Sequence, residues 1–527
     1  MAGLAGIIYR KKKRMHWAKE SDEIFKRQVE KMLQKISYRG SRNKEIFSIN
    51  NSSFGAIIGF ISNYKISGTK DHHTKKTSSK TAPTVKVDGK IYNTDKLYKK
   101  YKFRTAANKN ENEKLAELLT GFNNTIIKKL NGQFAMVFKD ESENIYIIRD
   151  FLGRKPLYYA YNNDANLLFF ASEIKSLSKF NLKIIELPPG HYIKNMGKPV
   201  LFRKLDSKKY GEEVLQSELP DIKNENIMMN RINDLLIRAI DKRIPKDRPN
   251  IKIGAWLSGG LDSSIIAALL KQRNVDIHTF AVGFKGARDL EAARIVSKHL
   301  GTIHKEYILD KDILFSLVPE TIYILESFDA PLVRSTLGNI IASKMSSEAD
   351  IVFSGEGGDE IFAGYNYFLN FNSKKQIQNG LLKAIKSLHN TALQRVDRSS
   401  NFNGVNIKLP MLDEELIDYV LHIPPRFKLN YNMKLTKYIL RKLAEKYLPD
   451  CIVWRPKDKF WEGSGIYDSL KNRIDCIISD NEFENSRILP DGFKLRNKEE
   501  FYYYQIFRIH YPEVDYNNFL SFTENFN

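Results

Sequence analysis

Two short segments of this chain carry residue types that could grip a phosphate and a cation together. The first is Ser258-Gly259-Gly260-Leu261-Asp262-Ser263-Ser264. Its glycines let the backbone approach an anion closely, and N–H groups at the start of a following helix point at that anion. The serine hydroxyls add donors, and Asp262 offers a hard carboxylate able to hold magnesium against phosphate oxygens. No lysine follows the second glycine, which separates the segment from the G-x-x-x-x-G-K-[ST] loop. The second segment is the tight acidic turn Ser354-Gly355-Glu356-Gly357-Gly358-Asp359-Glu360. Both could be ordinary βα turns with small or solvated residues. Their length and their place after apolar runs favour the functional reading.

Strands must deliver these loops. Residues 251–257 form an apolar run that predicts a buried strand, and 265–270 predict the first turns of a helix. Further strands are predicted at 277–282 and 351–354, with helices between them, which implies a parallel sheet. Open α/β sheets bind ligands at the carboxyl edge, where both loops would lie. Beyond Gly364 the chain reads as mostly helical, with turns at Leu409-Pro410, Pro424-Pro425 and Leu448-Pro449. Residues 1–202 differ. Strand-like runs at 3–9, 54–61, 133–139, 144–149 and 167–171, with helices at 21–36 and 111–119, predict an α+β sandwich. Residues 66–83, with His72 and His73, read as a polar loop. Residues 203–226 read as a linker, which leaves 227–527 as the second domain.

Composition bounds the rest. A chain of 527 residues should hold two or more domains. The net charge of +22 could serve a nucleic acid or an acidic peptide, yet the lysines are spread along the chain rather than clustered. Abundant lysine, asparagine and isoleucine match AT-rich coding instead, so no nucleic-acid partner is expected. The run Arg10-Lys11-Lys12-Lys13-Arg14 reads as a solvated loop. No apolar run approaches the ~20 residues that span a bilayer, and the start lacks the pattern of a secretory signal. Cys451 and Cys476 make neither a disulfide framework nor a metal motif. A cytoplasmic protein with no membrane partner is expected.

Segments 254–265, 280–284, 289–304, 354–365 and 454–465 resemble the synthetase domain of the asparagine synthetase family. The family includes relatives that make β-lactams and macrolactams. The resemblance runs from Gly3 to about Pro512, and the loop at Ser258 looks like the pyrophosphate loop of ATP pyrophosphatases. It implies that ATP is cleaved between its α- and β-phosphates while a carboxylate is adenylated. Leu257, Ser258, Gly259, Gly260, Asp262, Ser263, Ser264, Val282, Gly283, Ser354 and Gly355 would contact ATP. Asp262 and Asp359 would share Mg2+. Glu356 would face the acyl-adenylate and accept a proton from the attacking amine. Lys457, in Arg455-Pro456-Lys457, would neutralise the α-phosphate and the tetrahedral intermediate. Arg334 is a weaker candidate for carboxylate or phosphate binding. Asn406-Ile407-Lys408 stands where asparagine synthetases carry Glu-Ala-Arg.

The first domain resembles a class II glutamine amidotransferase, which implies an Ntn-hydrolase-like αββα sandwich. The matching segments are Met1 to Ile8, Arg39-Gly40, Asp88-Gly89-Lys90-Ile91-Tyr92-Asn93, Leu130 to Ala135 and Asp150 to Tyr159. In that family a cysteine follows the initiator methionine and attacks glutamine. Here it is Ala2. The family's Asn-Gly oxyanion pair reads Asp88-Gly89, and a carboxylate there would repel the oxyanion. No arginine follows residues 54–61 within Ser62-Asn63-Tyr64-Lys65, and Asn110-Glu111-Asn112-Glu113 matches Ser-Asp-x-Glu only in part. A glutaminase-dead domain is expected, as in β-lactam synthetases and lasso-peptide cyclases. The expected activity is ATP-dependent, AMP- and pyrophosphate-forming amide-bond synthesis without glutamine hydrolysis, like that of the lactam and macrolactam cyclases. The substrate would be a small-molecule or peptide carboxylate, the nucleophile an amine or ammonia, with peptide-biosynthesis partners. The alternative is asparagine synthesis from aspartate and free ammonia. A tRNA-modifying ATP pyrophosphatase and a non-catalytic scaffold fit the motifs less well.

Overall fold

The computed structural model describes residues 1–11, 19–50, 53–63, 82–101, 109–120, 124–206, 209–210, 224–245, 250–273, 276–457 and 460–523. Most of the polar loop expected at 66–83, the basic residues 12–14 and much of the expected linker 203–226 lie outside these residues. The chain forms two compact units, Met1–Lys204 with Tyr511–Leu520 and Leu205–His510 with Ser521–Asn527.

The first unit contains β1 (Ala2–Arg10), β2 (Asn43–Asn50), β3 (Phe54–Ser62), β4 (Thr84–Ile91), β5 (Gly132–Lys139), β6 (Ile145–Arg149), β7 (Tyr158–Asn162), β8 (Leu167–Ala171), β9 (Ile185–Glu186), β10 (His191–Lys194) and β11 (Val200–Leu201). They make a six-stranded sheet, β2-β3-β1-β8-β7-β9, and a five-stranded sheet, β11-β10-β6-β5-β4. All the pairings are antiparallel. Period-two alternation builds the core between the sheets. Ala2, Leu4 and Ile8 of β1 face inward with Ile58 of β3, meeting Ala135 and Val137 of β5 and Ile147 of β6. On the outer face of the second sheet, Phe134, Met136 and Phe138 pack against Leu97, Tyr98 and Leu115 from helices. The helix Lys19–Lys35 covers the first sheet, and Gly59 gives it room. A Cβ at Gly59 would lie 2.7 Å from Val29 and Leu33 side-chain carbons. The result is the expected sandwich of two sheets between helices.

The second unit contains β12 (Ile253–Trp256), β13 (Ile277–Gly283), β14 (Ile303–Ile308), β15 (Ile351–Phe353) and β16 (Ile407–Lys408), in the order β14-β13-β12-β15-β16. Every pairing is parallel. The predicted strands lie within a residue or two of those observed, an ordinary margin at strand ends. Strand β14 escaped the sequence reading because its Lys305-Glu306-Tyr307 stretch breaks apolar alternation at a sheet edge, with Ile303 and Ile308 exposed. From β12 the chain steps outward to β13 and β14, then returns to the other side of β12 as β15. The reversal opens a crevice at the carboxyl ends of β12 and β15. Beyond it lie mainly helices, from Lys374–Ser387 to Lys498–His510. Among the described residues no helix is long and apolar enough to cross a membrane, and both cysteines are exposed and free.

Candidate active site

The loop after β12 enters the helix Leu261–Lys271 through Gly260, with no side-chain cap on the first turn. Its N–H groups at the helix start are therefore not claimed by a capping side chain. Ser258 and Ser263 brace the loop from within. Their hydroxyls lie 3.2 Å apart, and the Ser263 hydroxyl donates to the Gly260 carbonyl at 3.0 Å. Gly259 adopts φ +70°, and a Cβ there would lie 2.4 Å from Ala292 Cβ. Only glycine fits that turn. Leu257 is buried, so its backbone alone is offered to a ligand. The Ser264 hydroxyl is buried and, among the described residues, has no hydrogen-bond partner.

The acidic turn after β15 meets this loop backbone to backbone. A Cβ on Gly355 would lie 2.6 Å from the Asp262 carbonyl carbon and the Ser263 nitrogen, and one on Gly358 would lie 2.5 Å from Asp262 Cγ. Glycine at both places lets the two loops touch and brings Asp262 and Asp359 to the same ammonium, that of Lys437. Lys437 Nζ donates to Asp262 Oδ2 and lies 2.6 Å from Asp359 Oδ1. Lys457 pairs with the same Asp359 oxygen. Burial raises the Asp262 carboxyl above the ordinary aspartate range, against the pull of Lys437. Burial works the same way on Asp359, but Lys437 and Lys457 together hold that carboxyl below its usual range. Glu360 is pushed up to about 7 by burial and by Asp359 and Glu356, and Tyr365 donates to it at 2.5 Å.

Lys457 arrives on a separate segment that is stitched to the end of β13. Arg455 pairs with Asp289 at 2.7 Å, and the Phe284 N–H donates to the Ser464 carbonyl at 3.0 Å. Val282 and Gly283 end β13 beside this segment, and the Leu257 N–H donates to the Phe280 carbonyl at 2.8 Å. The Lys457 ammonium stands 5.0 Å from the Tyr365 ring centroid. Glu356, in the acidic turn, pairs with Arg395 at 2.6 Å. Its N–H donates to the Ser354 hydroxyl at 3.3 Å.

Whether these residues suit a magnesium ion can be tested on their donors. Asp262 Oδ1 is buried and accepts no hydrogen bond from the described residues. Two hard carboxylates from different loops, Asp262 and Asp359, converge on one ammonium, that of Lys437. Magnesium is commonly held by one or two carboxylates plus substrate phosphates. The residues fit the ion.

Two basic residues here were not anticipated from sequence. Lys437 opens the helix Tyr438–Ala444 in a left-handed conformation, φ 56°. Arg395 lies on the helix Ala392–Phe402. Arg334, by contrast, is occupied elsewhere. Its Nε lies 2.8 Å from Glu499, and its guanidinium stands 4.4 Å from the Tyr467 ring centroid.

In the first unit, Ala2 is fully buried at the start of β1. Arg39 Nη1 donates to Asp88 Oδ2 at 3.3 Å and to the Ala2 carbonyl at 3.5 Å, while its Nε pairs with Glu173. Lys155 lies 3.7 Å from the other Asp88 oxygen. Gly89, at φ +120°, passes so close to the Gln133 carbonyl that a Cβ would lie 1.9 Å from its oxygen. Asn110 and Glu113 form a reciprocal cap on the helix Glu111–Leu118. Residues 64 and 65, after β3, lie outside the described residues.

Comparison with known proteins matches two family patterns. "Asparagine synthase" covers residues 231–376 and 369–519, and "Glutamine amidotransferase domain" covers residues 1–195. The chain is 31% identical over 464 residues to a probable glutamine-hydrolysing asparagine synthetase of Dictyostelium discoideum, covering 81% of each protein. It is 32% identical over 459 residues to glutamine-hydrolysing asparagine synthetase 2 of Oryza sativa subsp. japonica, covering 81% of this chain and 74% of that one. Against asparagine synthetase B of Escherichia coli K12 the figures are 31% over 450 residues, 81% and 78%. A solved NMN synthetase from Francisella tularensis aligns at a TM-score of 0.22 and 12% identity over 57% of this chain and 99% of its own, too weak to bear on the fold. An antiparallel amidotransferase-type sandwich followed by a parallel-sheet synthetase domain, matched along both parts, makes this chain a member of the asparagine synthase family, an ATP-dependent carbon–nitrogen ligase.

Proposed function

We propose that this enzyme adenylates aspartate and completes the amide with free ammonia, without hydrolysing glutamine itself. The observation that carries the reading is the convergence of Asp262, Asp359, Lys437 and Lys457 where the two loops touch, with Glu356 in the same turn. The identity to asparagine synthetases over most of the chain favours aspartate as the acid.

The substrate carboxylate attacks the α-phosphate of ATP, and pyrophosphate leaves with the electron pair of the cleaved P–O bond. Ser258, Gly259, Gly260, Ser263 and the N–H groups at the helix start receive the phosphate oxygens. Val282 and Gly283 line the adenine side, and Ser354 and Gly355 close the other wall. Asp262 and Asp359 would hold magnesium, which supplies neutralisation of the pyrophosphate charge. Lys437 and Lys457 add two fixed cations in a partly desolvated place, where each is worth more than in water. Lys457 then steadies the oxyanion as ammonia attacks the acyl carbonyl, and Glu356 takes the proton that the nitrogen loses.

The first unit supports the ammonia requirement. The Ala2 methyl cannot attack an amide, and Asp88 places a carboxylate, paired with Arg39 and Lys155, where an oxyanion would need a neutral donor. The same loss favours a second reading, in which the amine lies within the substrate and the product is a lactam or macrolactam, with a peptide acid as one form of substrate.

Pyrophosphate release from MgATP distinguishes them. Release and asparagine formation with aspartate plus ammonium, but not with glutamine, support the first reading. Nucleotide binding without turnover of aspartate removes it and leaves the second.

A further inference from the structure

Glu356 reaches the site by an unusual constraint: its backbone is fixed and its side chain is held from one side. The following Gly357 takes φ +98°, where a Cβ would lie 2.4 Å from Leu412. The side chain retains three torsions, and its neighbours Asp359 and Glu360 would repel it. Arg395 opposes that repulsion. Its Nη2 donates to Glu356 Oε1 at 2.6 Å, with each side chain 19% exposed. Among the described residues nothing donates to Glu356 Oε2, and Arg395 Nε is buried without an acceptor. Thus a single guanidinium arm pins one carboxylate oxygen and leaves the other unclaimed.

The helix that carries Arg395 does not need this pair to stay in place. Arg398 pairs with buried Glu326 at 2.7 Å, Gln394 donates to the Leu325 carbonyl at 2.8 Å, and Ser343 donates to the Ser399 carbonyl at 2.9 Å. Arg395, on the same helix, turns to the acidic loop.

We propose that Arg395 is a positioning residue for the second half-reaction, fixing one oxygen of Glu356 so that the other meets the incoming amine. The inference rests on the reading above. In the step it serves, the nitrogen lone pair forms the C–N bond, and the C–O bond to the phosphate breaks with its electron pair leaving on AMP. One N–H proton passes to Glu356. Adenylation, in which no amine takes part, does not need the pair.

The test separates the half-reactions in the full chain. Aspartate-dependent ATP–pyrophosphate exchange reads the first, and asparagine formation with ammonium reads the second. R395Q should keep exchange near wild type while amide formation falls about 10²-fold, the low end for loss of a placed base. R395K should recover part of that loss. In an E356Q background, R395Q should add nothing, because the two act as one unit. Equal losses in both half-reactions for R395Q and R395K, or additive losses in the double variant, would overturn the role of Arg395. Wild-type enzyme without exchange on aspartate overturns the substrate reading instead, and the same comparison is then made with the carboxylate that does support exchange.

Discussion

Replacing Gly355 with alanine should disable the site through a single methyl group. The backbone at Gly355 is not in the left-handed region, so the substitution adds no conformational strain. Its effect is steric. The new Cβ would lie 2.6 Å from Asp262 C and Ser263 N and 2.8 Å from Asp262 O, all backbone atoms. Carbon contacts settle near ~3.5–4.0 Å, so the two loops must part by roughly 1 Å. Overpacking of this kind costs about 1–3 kcal/mol, and a 1 Å misplacement of reacting groups costs about 10²-fold in rate. The expected outcome is a folded protein, melting several degrees lower, with pyrophosphate release down about 10²-fold. Gly260→Ala is the control for melting, since its Cβ would meet nothing nearer than Ser258 Oγ at 3.4 Å. Calorimetry and a coupled pyrophosphate assay read both quantities. Full activity at an unchanged melting temperature in Gly355→Ala would refute the interlocking of the two loops.

Asp262→Ala should abolish pyrophosphate release, and retention of full activity would remove Asp262 from the phosphate site. Ala2→Cys alone should give no glutaminase activity, because Asp88 still faces the thiol's neighbourhood with its charge; glutamate release from glutamine at a rate typical of an amidotransferase would count against the proposed block. Lys428 is fully buried, among the described residues nothing hydrogen-bonds to its Nζ, and burial lowers its amine to about 7. The unfolded chain stays protonated up to the ordinary lysine range and binds more protons above pH 7, so stability should rise with pH between about 7 and 10, by at most about 1.4 kcal/mol per pH unit. Lys428→Met should be more stable at neutral pH and lose that slope; a melting profile parallel to wild type would show that the amine is solvated.

What could be read from sequence was whatever lay in consecutive residues. Ser258 to Ser264 and Ser354 to Glu360 each carry a complete turn with its own chemistry, and a short apolar run before each marks the strand. Lys437 could not be read that way. It is one of several lysines between Lys428 and Lys446, and its reach to Asp262 depends on a left-handed backbone and on the chain returning from more than 170 residues away. Arg395 faces the acidic turn only because the helix Ala392–Phe402 packs against Ala330–Ser346. Arg334 shows the converse. Its local context suggested a ligand-binding cation, and Glu499 from a distant helix occupies it.

The buried group around Arg39 bears on whether the first unit could ever regain a glutaminase. Under the proposed reading two exchanges are involved, a lost thiol at position 2 and an acquired carboxylate at position 88. Arg39 is fully buried and now shares its charge with Asp88 and Glu173. Returning the thiol alone restores nothing that selection could act on. Returning a neutral amide at position 88 alone takes a counter-charge from a guanidinium that water does not reach. Under that reading neither single step back is an improvement, and the electrostatics of its own interior would keep the domain from hydrolysing glutamine, as a ratchet holds a wheel after the force that turned it has gone.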